Sequence, residues 1–388
     1  MTAGAGGAAF TAPGERQRLI VRLAQVDWTF CAAISVIAAA GGAMLYSVAG
    51  GKWDPWAAKH LLSYGFWFAA MIVLAMVDLQ IWFAIAYPVY GLSLVLLVAV
   101  AAHGHASLGA QRWLSIGPIH DFQPSELMKI GLVLALARFY HGLSARKAKL
   151  SFWLLIPAAL IAMPAALVMK EPDLGTALLI CATGAAMMIL AGLDLRIVAA
   201  GAAGAAAVVP FLHLVLKPYQ YTRLVSFMNP EAEKSGAGYH IVQSKIALGS
   251  GGLLGKGFGL GTQSQLNFLP EKQTDFMFAS LAEEFGFVGC ISILLLYAAV
   301  IFMGLRIAAV AHSHFGRMAA AGVTAVLIFC VLMNGAMVMG LAPVVGVPMP
   351  LLSLGGTVMM SMMIGFGLVM AVRVQRYAEI SSGKGSVL

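Results

Sequence analysis

Asp275 is the carboxylate of this sequence that is best placed for acid–base chemistry. It closes the segment PEKQTD (270–275) and directly precedes an apolar run. A carboxylate held at the edge of such a run is partly desolvated, so its pKa rises toward the range of a general base. The alternative is that Thr274 and Asp275 only cap the helix that follows. On that helix Glu283 lies roughly 80° from Asp275, so we expect Glu283, rather than Glu284, to line the same cavity.

A second group of residues that could bind a substrate lies in GAQRWLSIGPIHDFQPSELMK (109–129). Pro124 suits a first helical turn, and Glu126 and Lys129 then share one helix face. Lys129 would sit about 7 Å into a spanning helix, where an unpaired ammonium is costly, which favours a role in lining a cavity. Arg112 suits a diphosphate and Trp113 suits a membrane interface; the alternative is that both merely anchor the chain there.

The glycine-rich run GSGGLLGKGFGLG (249–261) resembles a phosphate-binding loop but lacks the nucleotide-binding patterns. A Walker A motif would need glycine at Ser250 and a hydroxyl residue at Gly257, and the GxGxxG pattern is also missing. The glycines can still let the backbone approach a ligand or turn sharply, and Lys256 adds a positive charge. A flexible hinge is the alternative.

The elements that position these residues are membrane-spanning helices. Of the 388 residues, 61% are hydrophobic and 10% are charged, whereas charged residues make up about 25% of ordinary soluble proteins. This composition excludes soluble and disordered classes and predicts an all-α integral membrane protein with about ten transmembrane helices. The apolar runs are 28–49, 61–77, 79–101, 124–140, 151–169, 174–191, 195–216, 276–304, 318–342 and 353–372.

The distribution of lysine and arginine predicts the orientation of these helices. Thirteen Lys and Arg lie in the segments on the side of the N-terminus, against five in the short segments on the other side. The positive-inside rule therefore places both termini in the cytoplasm, and the net charge of +8 reflects topology rather than nucleic-acid binding. The predicted layout is a cytoplasmic tail (1–26), helices 1–7 (27–216), a large extracytoplasmic loop (217–275), helices 8–10 (276–373) and a cytoplasmic tail (374–388).

Two further segments shape the extracytoplasmic side. Residues 239–249 have the apolar spacing of a short interfacial helix, although a plain amphipathic connector would show the same pattern. The proline-rich stretch GLAPVVGVPMPLLSLGGT (340–357) predicts a bent or re-entrant connection, which is tolerated where it is packed or lines a cavity. An outward-facing cavity of this kind, with cations and carboxylates, suits an anionic amphiphile.

Four blocks of the sequence resemble the SEDS family, and they span nearly the whole chain in the family's order. They are RWLSIGPIHDFQPSELMK (112–129), KEPDLGTALL (170–179), residues 243–289 and GLAPVVGVPMPLLSLGGT (340–357). Within the third block, GTQSQLNFLPE is closer to the elongation (RodA) branch than to the division (FtsW) branch. The resemblance implies ten spans with a large extracytoplasmic loop between helices 7 and 8.

The resemblance also implies an activity, a peptidoglycan glycosyltransferase that polymerises lipid II during cell elongation at the outer face of the bacterial cytoplasmic (inner) membrane. The aspartate of the family's TDF motif, here Asp275, would be catalytic: it would deprotonate or orient the GlcNAc 4-hydroxyl that attacks C1 of MurNAc, and undecaprenyl diphosphate would leave with inversion. We expect Arg112, Lys129, Lys245 and Lys256 to bind the diphosphate, with Trp113, Gln263 and Thr274 beside the substrate and Glu126 and Glu283 supporting the cavity.

The resemblance leaves several expectations open. A divalent cation (Mg²⁺ or Mn²⁺) can share the diphosphate charge, but the sequence shows no ligand set for one. The implied partners are a class B penicillin-binding protein transpeptidase and the elongation machinery. Gln273 and Leu354 stand where the family often has histidine and tyrosine, which argues against a catalytic histidine or phenol there. The alternative function is a flippase or transporter of the lipid-linked precursor, which would use a similar cavity.

Overall fold

The protein is built almost entirely of helices. The computed structural model describes residues 19–103, 105–107, 110–115, 121–143, 152–208, 225–230, 236–269 and 271–380. The helices are α1 (Leu19–Ala24), α2 (Trp28–Val48), α3 (Ala57–Ala75), α4 (Leu79–His103), α5 (Pro124–His141), α6 (Leu155–Lys170), α7 (Leu174–Leu190), α8 (Leu195–Val208), α9 (Ala237–Ser250), α10 (Thr262–Gln265), α11 (Met277–Val310), α12 (His314–Val338) and α13 (Gly356–Val374), and the strands are β1 (His105–Ser107), β2 (Ala110–Ser115) and β3 (Asp121–Phe122).

The helices follow the predicted apolar runs. Each of the ten predicted ranges overlaps one helix among α2–α8 and α11–α13. Six helices in the described part of the chain are long and apolar enough to cross a membrane, namely α2, α3, α4, α11, α12 and α13, and α6 and α7 are shorter apolar helices. The all-α membrane fold is therefore confirmed. The end of the seventh predicted span, 209–216, lies outside the described residues. So do 217–224, 231–235 and 270 of the predicted loop, and 1–18 and 381–388 of the predicted tails.

Helix α5 lies at the centre of the bundle. It packs against α4, α6, α7, α12 and α13, so most of its side chains are buried. A helix buried on all sides can carry charged residues without exposing them to lipid, provided that the charges are paired. This position explains how Glu126 and Lys129 are accommodated in a spanning helix.

A small antiparallel sheet joins α4 to α5 and was not predicted from the sequence. Its order is β1–β2–β3, and Leu114 of β2 pairs with Phe122 of β3. Phe122 stands two residues before α5 begins at Pro124. The sheet therefore holds the segment of Arg112 and Trp113 at the start of the central helix.

The predicted bent connection near the last span is confirmed. Between α12 and α13 the backbone is irregular, and Leu351 has a φ of 70°. The segment is nevertheless packed: the Tyr297 hydroxyl donates a hydrogen bond to the Pro350 carbonyl, and Ser353 Oγ accepts one from the Met349 N–H at 3.2 Å. Buried irregular backbone is tolerated at membrane depth only when such partners are present.

Helix α11 is interrupted, although its sequence is a continuous apolar run. Gly286 has φ 64° and ψ −160°, values far from those of a helix. The break divides α11 into a buried first part that follows Asp275 and a second part that continues to Val310. The same break determines where the glycine-rich run can pack.

Candidate active site

Asp275 lies in the tight turn that precedes α11. The helix begins at Met277, and its N-cap residue, Phe276, makes no side-chain capping bond. Thr274 Oγ1 bonds instead to the carbonyl and the Oε2 of Glu271, at 3.3 and 3.2 Å. The bonds of the Thr274 hydroxyl thus go to Glu271, whereas a capping role for Asp275 stays a prediction. Thr274 stabilises the turn that presents Asp275.

Two neighbouring segments hold the backbone of this turn. Asn334 of α12 is fully buried, and its Nδ2 donates to the carbonyls of Asp275 and Val347, at 2.8 Å each. The Leu354 N–H donates to the Gln273 carbonyl at 2.9 Å. The structure thus ties the Asp275 main chain to α12 and ties the turn, through Gln273, to the bent connection, while Asp275 as a residue remains partly exposed.

Asn334 was missed by the sequence analysis. The available signal was a lone amide inside an apolar run, VLMNGAMV, because a polar side chain within a spanning helix usually faces the bundle interior and bonds there. What the sequence does not contain is the partner, since Asp275 lies 59 residues away.

We expect the substitution Asn334→Ala to lower, by about tenfold, the polymerising activity that the SEDS resemblance implies, with the fold intact, because the Asp275 main chain would be held less precisely. The variant removes the donor to the buried Val347 carbonyl and to the partly buried Asp275 carbonyl; a buried carbonyl left unsatisfied costs about 1–3 kcal/mol. Because Asn334 acts as a positioning residue, the loss should fall on kcat rather than on KM. Thr324→Ala, in the same helix, is the matched control: among the residues that the structure describes, its hydroxyl bonds to its own helix, at the Ala320 carbonyl. A loss carried entirely by KM would contradict this role.

Helix α9 brings Lys245 to the same end of α12. The predicted short helix at 239–249 is confirmed, and Ser244 Oγ joins it to the Val338 carbonyl at 2.7 Å. Lys245 is exposed, and its Nζ lies 3.1 Å from the position that a Cβ on Gly340 would occupy. The His240 ring contacts the Phe276 ring, with centroids 6.0 Å apart. Lys245 and Asp275 therefore both lie where α12 ends.

The glycine-rich run is packed onto the break in α11 and is not a flexible hinge. The N–H groups of Lys256 and Gly257 donate to the carbonyls of Glu283 and Glu284, at 3.0 Å each. In return, the N–H groups of Phe287 and Val288 donate to the carbonyls of Gly252 and Leu253, at 2.9 and 3.1 Å. The run supplies the hydrogen bonds that the interrupted helix loses, as backbone within a membrane requires. The close approach predicted for the glycines is thus to a helix backbone.

Glu283 is fully buried under this run. Lys256 Nζ lies 2.6 Å from Glu283 Oε1, and Thr262 Oγ1 and the Gln263 N–H donate to the same carboxylate at 2.9 and 3.1 Å. The Glu283 side chain has 0% exposure and that of Lys256 has 29%. The expectation that Glu283 lines an open cavity is therefore corrected: its carboxylate faces inward because it binds the loop.

Glu284 is held in the same way by a different helix. Its carboxylate accepts hydrogen bonds from Ser47 Oγ of α2, at 2.5 and 2.7 Å, and from the Gly259 N–H at 3.1 Å. Gln265 Nε2 donates to the Ser47 carbonyl at 2.7 Å. The two adjacent glutamates thus both bind the segment 256–263, and Glu284 also binds α2, an arrangement that a helical projection alone does not predict.

We expect Lys256→Met to reduce the free energy of unfolding by about 2 kcal/mol, because it leaves the buried Glu283 carboxylate without its counter-charge. The double variant Lys256→Met/Glu283→Gln should recover most of that loss, since the remaining amide can still accept from Thr262. Denaturation of both variants in detergent measures the difference. Equal stability of the single and double variants would show that the ion pair contributes nothing.

Lys129 and Glu126 form a buried ion pair at 2.8 Å. Ser361 Oγ of α13 donates to the other oxygen of Glu126, also at 2.8 Å. Nearby, Gln123 Nε2 donates to Asp173, which caps α7 through the Thr176 N–H and hydroxyl. The predicted helix-face pairing is confirmed, and the expectation that these two residues line an open cavity is corrected, because both charges are occupied inside the bundle.

The structure describes the side chains of only some of the remaining predicted site residues. Arg112 belongs to β2, but its side chain lies outside the described residues, whereas Trp113 is partly exposed. Gln263 Oε1 is buried without a hydrogen-bond partner in the described part of the chain. Among the described residues, no group of three or more His, Cys, Asp and Glu could hold a metal ion. Metal binding therefore stays an open prediction.

Lys272 is a buried cation of the same region that the sequence analysis did not single out. Its Nζ donates to the Ser264 carbonyl at 2.6 Å and to Asn267 Oδ1 at 2.8 Å, and it lies 5.9 Å from the Trp56 ring. Burial lowers the pKa of Lys272. Lys272 joins α10 to the turn that carries Asp275.

Known proteins are similar to this chain over most of its length. The family model described as "Cell cycle protein", which covers FtsW, RodA and SpoVE, matches residues 22–378. "Peptidoglycan glycosyltransferase MrdB" of Escherichia coli (strain K12) is 45% identical over 307 residues, which are 79% of this chain and 82% of the relative.

Two solved structures share the fold. One is a chain from a solved structure described as "Structural coordination of polymerization and crosslinking by a peptidoglycan synthase complex". Its TM-score is 0.78 at 30% identity, and the match covers 91% of this chain and 98% of that chain. The other is the rod shape determining protein RodA of Thermus thermophilus, with a TM-score of 0.68, 29% identity and coverage of 91% and 98%. This chain therefore belongs to the SEDS (FtsW/RodA/SpoVE) family of multi-pass membrane proteins, on its RodA branch.

Proposed function

We propose that this protein is a peptidoglycan glycosyltransferase that polymerises lipid II during cell elongation, with Asp275 as its catalytic carboxylate. Its family and the activity named for its E. coli relative support the reaction class. The observation that supports the site is the Asp275 turn, whose main chain is bonded to Asn334 while residue Asp275 stays partly exposed. Such a carboxylate can meet a substrate hydroxyl without moving the backbone.

The proposed reaction joins two lipid-linked disaccharides. Asp275 accepts the proton of the GlcNAc 4-hydroxyl on one substrate as that oxygen attacks C1 of the MurNAc on the other. The bond between C1 and the phosphate oxygen breaks, and its electron pair leaves with undecaprenyl diphosphate, which inverts the configuration at C1. A diphosphate is a good leaving group, so the reaction does not require a general acid.

Lys245 is the cation that the structure best supports for the departing diphosphate. It is exposed and lies at the same end of α12 as Asp275, whereas Lys129 and Lys256 are neutralised by Glu126 and Glu283. A fixed cation where negative charge develops stabilises the transition state. Arg112 and a divalent cation remain part of the proposal as further sources of positive charge.

The proposed setting is the bacterial inner membrane, with both termini in the cytoplasm and Asp275 on the outer side. The lysine and arginine distribution supports this orientation. The proposed partner is a class B penicillin-binding protein transpeptidase within the elongation machinery. Its support is the structural neighbour, which belongs to a complex described as coordinating polymerization and crosslinking.

Reconstitution distinguishes polymerisation from the transport alternative. The purified wild-type protein is incubated in liposomes with labelled lipid II, and both glycan length and translocation of the label are followed. We expect glycan polymer that depends on the protein. Translocation of lipid II without polymer would favour the flippase function and overturn the proposal.

A further inference from the structure

The glycine-rich run exposes a set of large apolar side chains at its tip. Leu253 and Leu254 are 72% and 79% exposed, and Phe258 and Leu260 are also exposed. We call these four residues the apolar tip. Such residues are unfavourable in water, and a cluster of them marks a surface that contacts another apolar phase.

The apolar tip continues the lipid-facing surface of α11. Leu253 accepts a hydrogen bond from the Val288 N–H, so the tip lies directly beside the second part of that helix. There Phe287, Val288 and Leu295 are exposed on a helix that is apolar enough to span the membrane. Side chains of this kind on a spanning helix face acyl chains.

The length of α11 places the tip near one boundary of the hydrocarbon layer. The part of α11 after the break runs from residue 287 to Val310, about 24 residues, which at 1.5 Å per residue is about 36 Å, enough to cross the roughly 30 Å of a hydrocarbon core. Arg306 lies near the end away from Asp275. Counting about twenty residues back from Arg306 reaches Phe287. The break at Gly286 therefore marks the boundary on the Asp275 side.

The polar groups of the run meet the requirements of such a location. The carbonyls of Gly252 and Leu253 and the N–H groups of Lys256 and Gly257 are bonded to α11. The charge of Lys256 is paired with Glu283. Backbone and charge that enter an apolar phase must be satisfied internally, and these four backbone groups and this charge are satisfied in that way.

We infer that the apolar tip is embedded among the lipid acyl chains of the leaflet on the Asp275 side, at the level of the upper chain segments. The occupant of this surface is bilayer lipid, because the tip is continuous with helix surface that faces lipid. The glycine-rich run thus anchors the Asp275 region at the height where a lipid-linked diphosphate would lie. The inference depends on the membrane-spanning fold and not on the proposed reaction.

Fluorescence quenching tests the depth of the tip. The four cysteines Cys31, Cys181, Cys290 and Cys330 are replaced by alanine, Leu254→Cys is introduced, and a bimane label is attached in phosphatidylcholine vesicles. Quenchers are lipids with doxyl groups at carbon 5 or carbon 12, and aqueous iodide. Lys52→Cys, exposed in a charged connection, is the aqueous control, and Leu295→Cys is the control for the membrane interior.

We expect the 5-doxyl lipid to quench the Leu254 label about twofold more than the 12-doxyl lipid does, and iodide to quench it at least about threefold less than the Lys52 label, given insertion of about 5–10 Å. Iodide quenching equal to that at Lys52 would overturn the inference. Weak quenching of the Leu254 label by iodide and by both doxyl lipids would also overturn the inference, since a protein surface would then cover the tip. If the cysteine-free protein does not fold, benzoylphenylalanine is placed at position 254 of the native chain, where we expect it to crosslink to lipid. A folded protein that gives no lipid adduct would overturn the inference in the same way.

Discussion

Replacing Gly255 by alanine is expected to destabilise the protein by about 4 kcal/mol, an unusually large effect for adding one methyl group. Gly255 has a φ of +81°, and a Cβ there would lie 2.1 Å from the Glu284 carbonyl oxygen. Both partners are backbone, so relief requires the glycine-rich run and α11 to separate. That movement would lengthen the bonds from Lys256 and Gly257 to α11.

Gly252→Ala is the matched control for this prediction. Gly252 lies in the same run and also has a positive φ, +56°, but a Cβ there would meet no atom within 4 Å. Its cost should be limited to backbone strain, about 1 kcal/mol. Denaturant titration of both variants in detergent gives the two free energies of unfolding. Equal losses would show that the close approach of the two segments adds nothing beyond the strain of the positive φ.

The spanning helices could be predicted because their signal is local. A run of about twenty apolar residues is sufficient to define a span, and every predicted run overlaps a helix. The pairing of Glu126 with Lys129 was predictable for the same reason, since three residues separate them on one helix. The bent connection was visible in its prolines and glycines.

The break in α11 could not be predicted, because its cause is distant in sequence. Gly286 lies inside an apolar run, and the groups that replace the lost helical bonds come from Gly252 to Gly257, about thirty residues earlier. The pairing of Lys256 with Glu283 depends on that docking and was hidden for the same reason. The strands between α4 and α5 are too short to show a periodic pattern.

The sequence was sufficient to propose Asp275 as the carboxylate of the candidate site. It was not sufficient to predict which of the nearby cations are free to bind a diphosphate. Residue types indicated four cations that could bind a diphosphate, but a sequence does not show which cations already have buried partners. The structure pairs Lys129 and Lys256 with glutamates and leaves Lys245 exposed near Gly340. Asn334 completes the site through a main-chain contact that leaves no distinctive motif.

Replacing Asp275 by asparagine is expected to lower the polymerisation rate by about 10²–10⁴-fold, the usual contribution of a general base. Asparagine has nearly the same size, and the hydrogen bond from Asn334 goes to the main chain of residue 275, so the turn should keep its geometry. The amide cannot accept the proton of the attacking hydroxyl. Because substrate binding does not require that proton transfer, the loss should appear in kcat.

The catalytic role of Asp275 is therefore tested by lipid II polymerisation with purified Asp275→Asn protein, compared with wild type and with Asp54→Asn. Asp54 is an exposed aspartate that precedes α3 and lies away from the Asp275 turn in sequence. We predict that Asp54→Asn retains wild-type activity, whereas Asp275→Asn is folded, binds lipid II and polymerises it at least about 10²-fold more slowly than wild type. Polymer formation by folded Asp275→Asn protein at a rate close to that of wild type would contradict the assignment of Asp275 as the catalytic base.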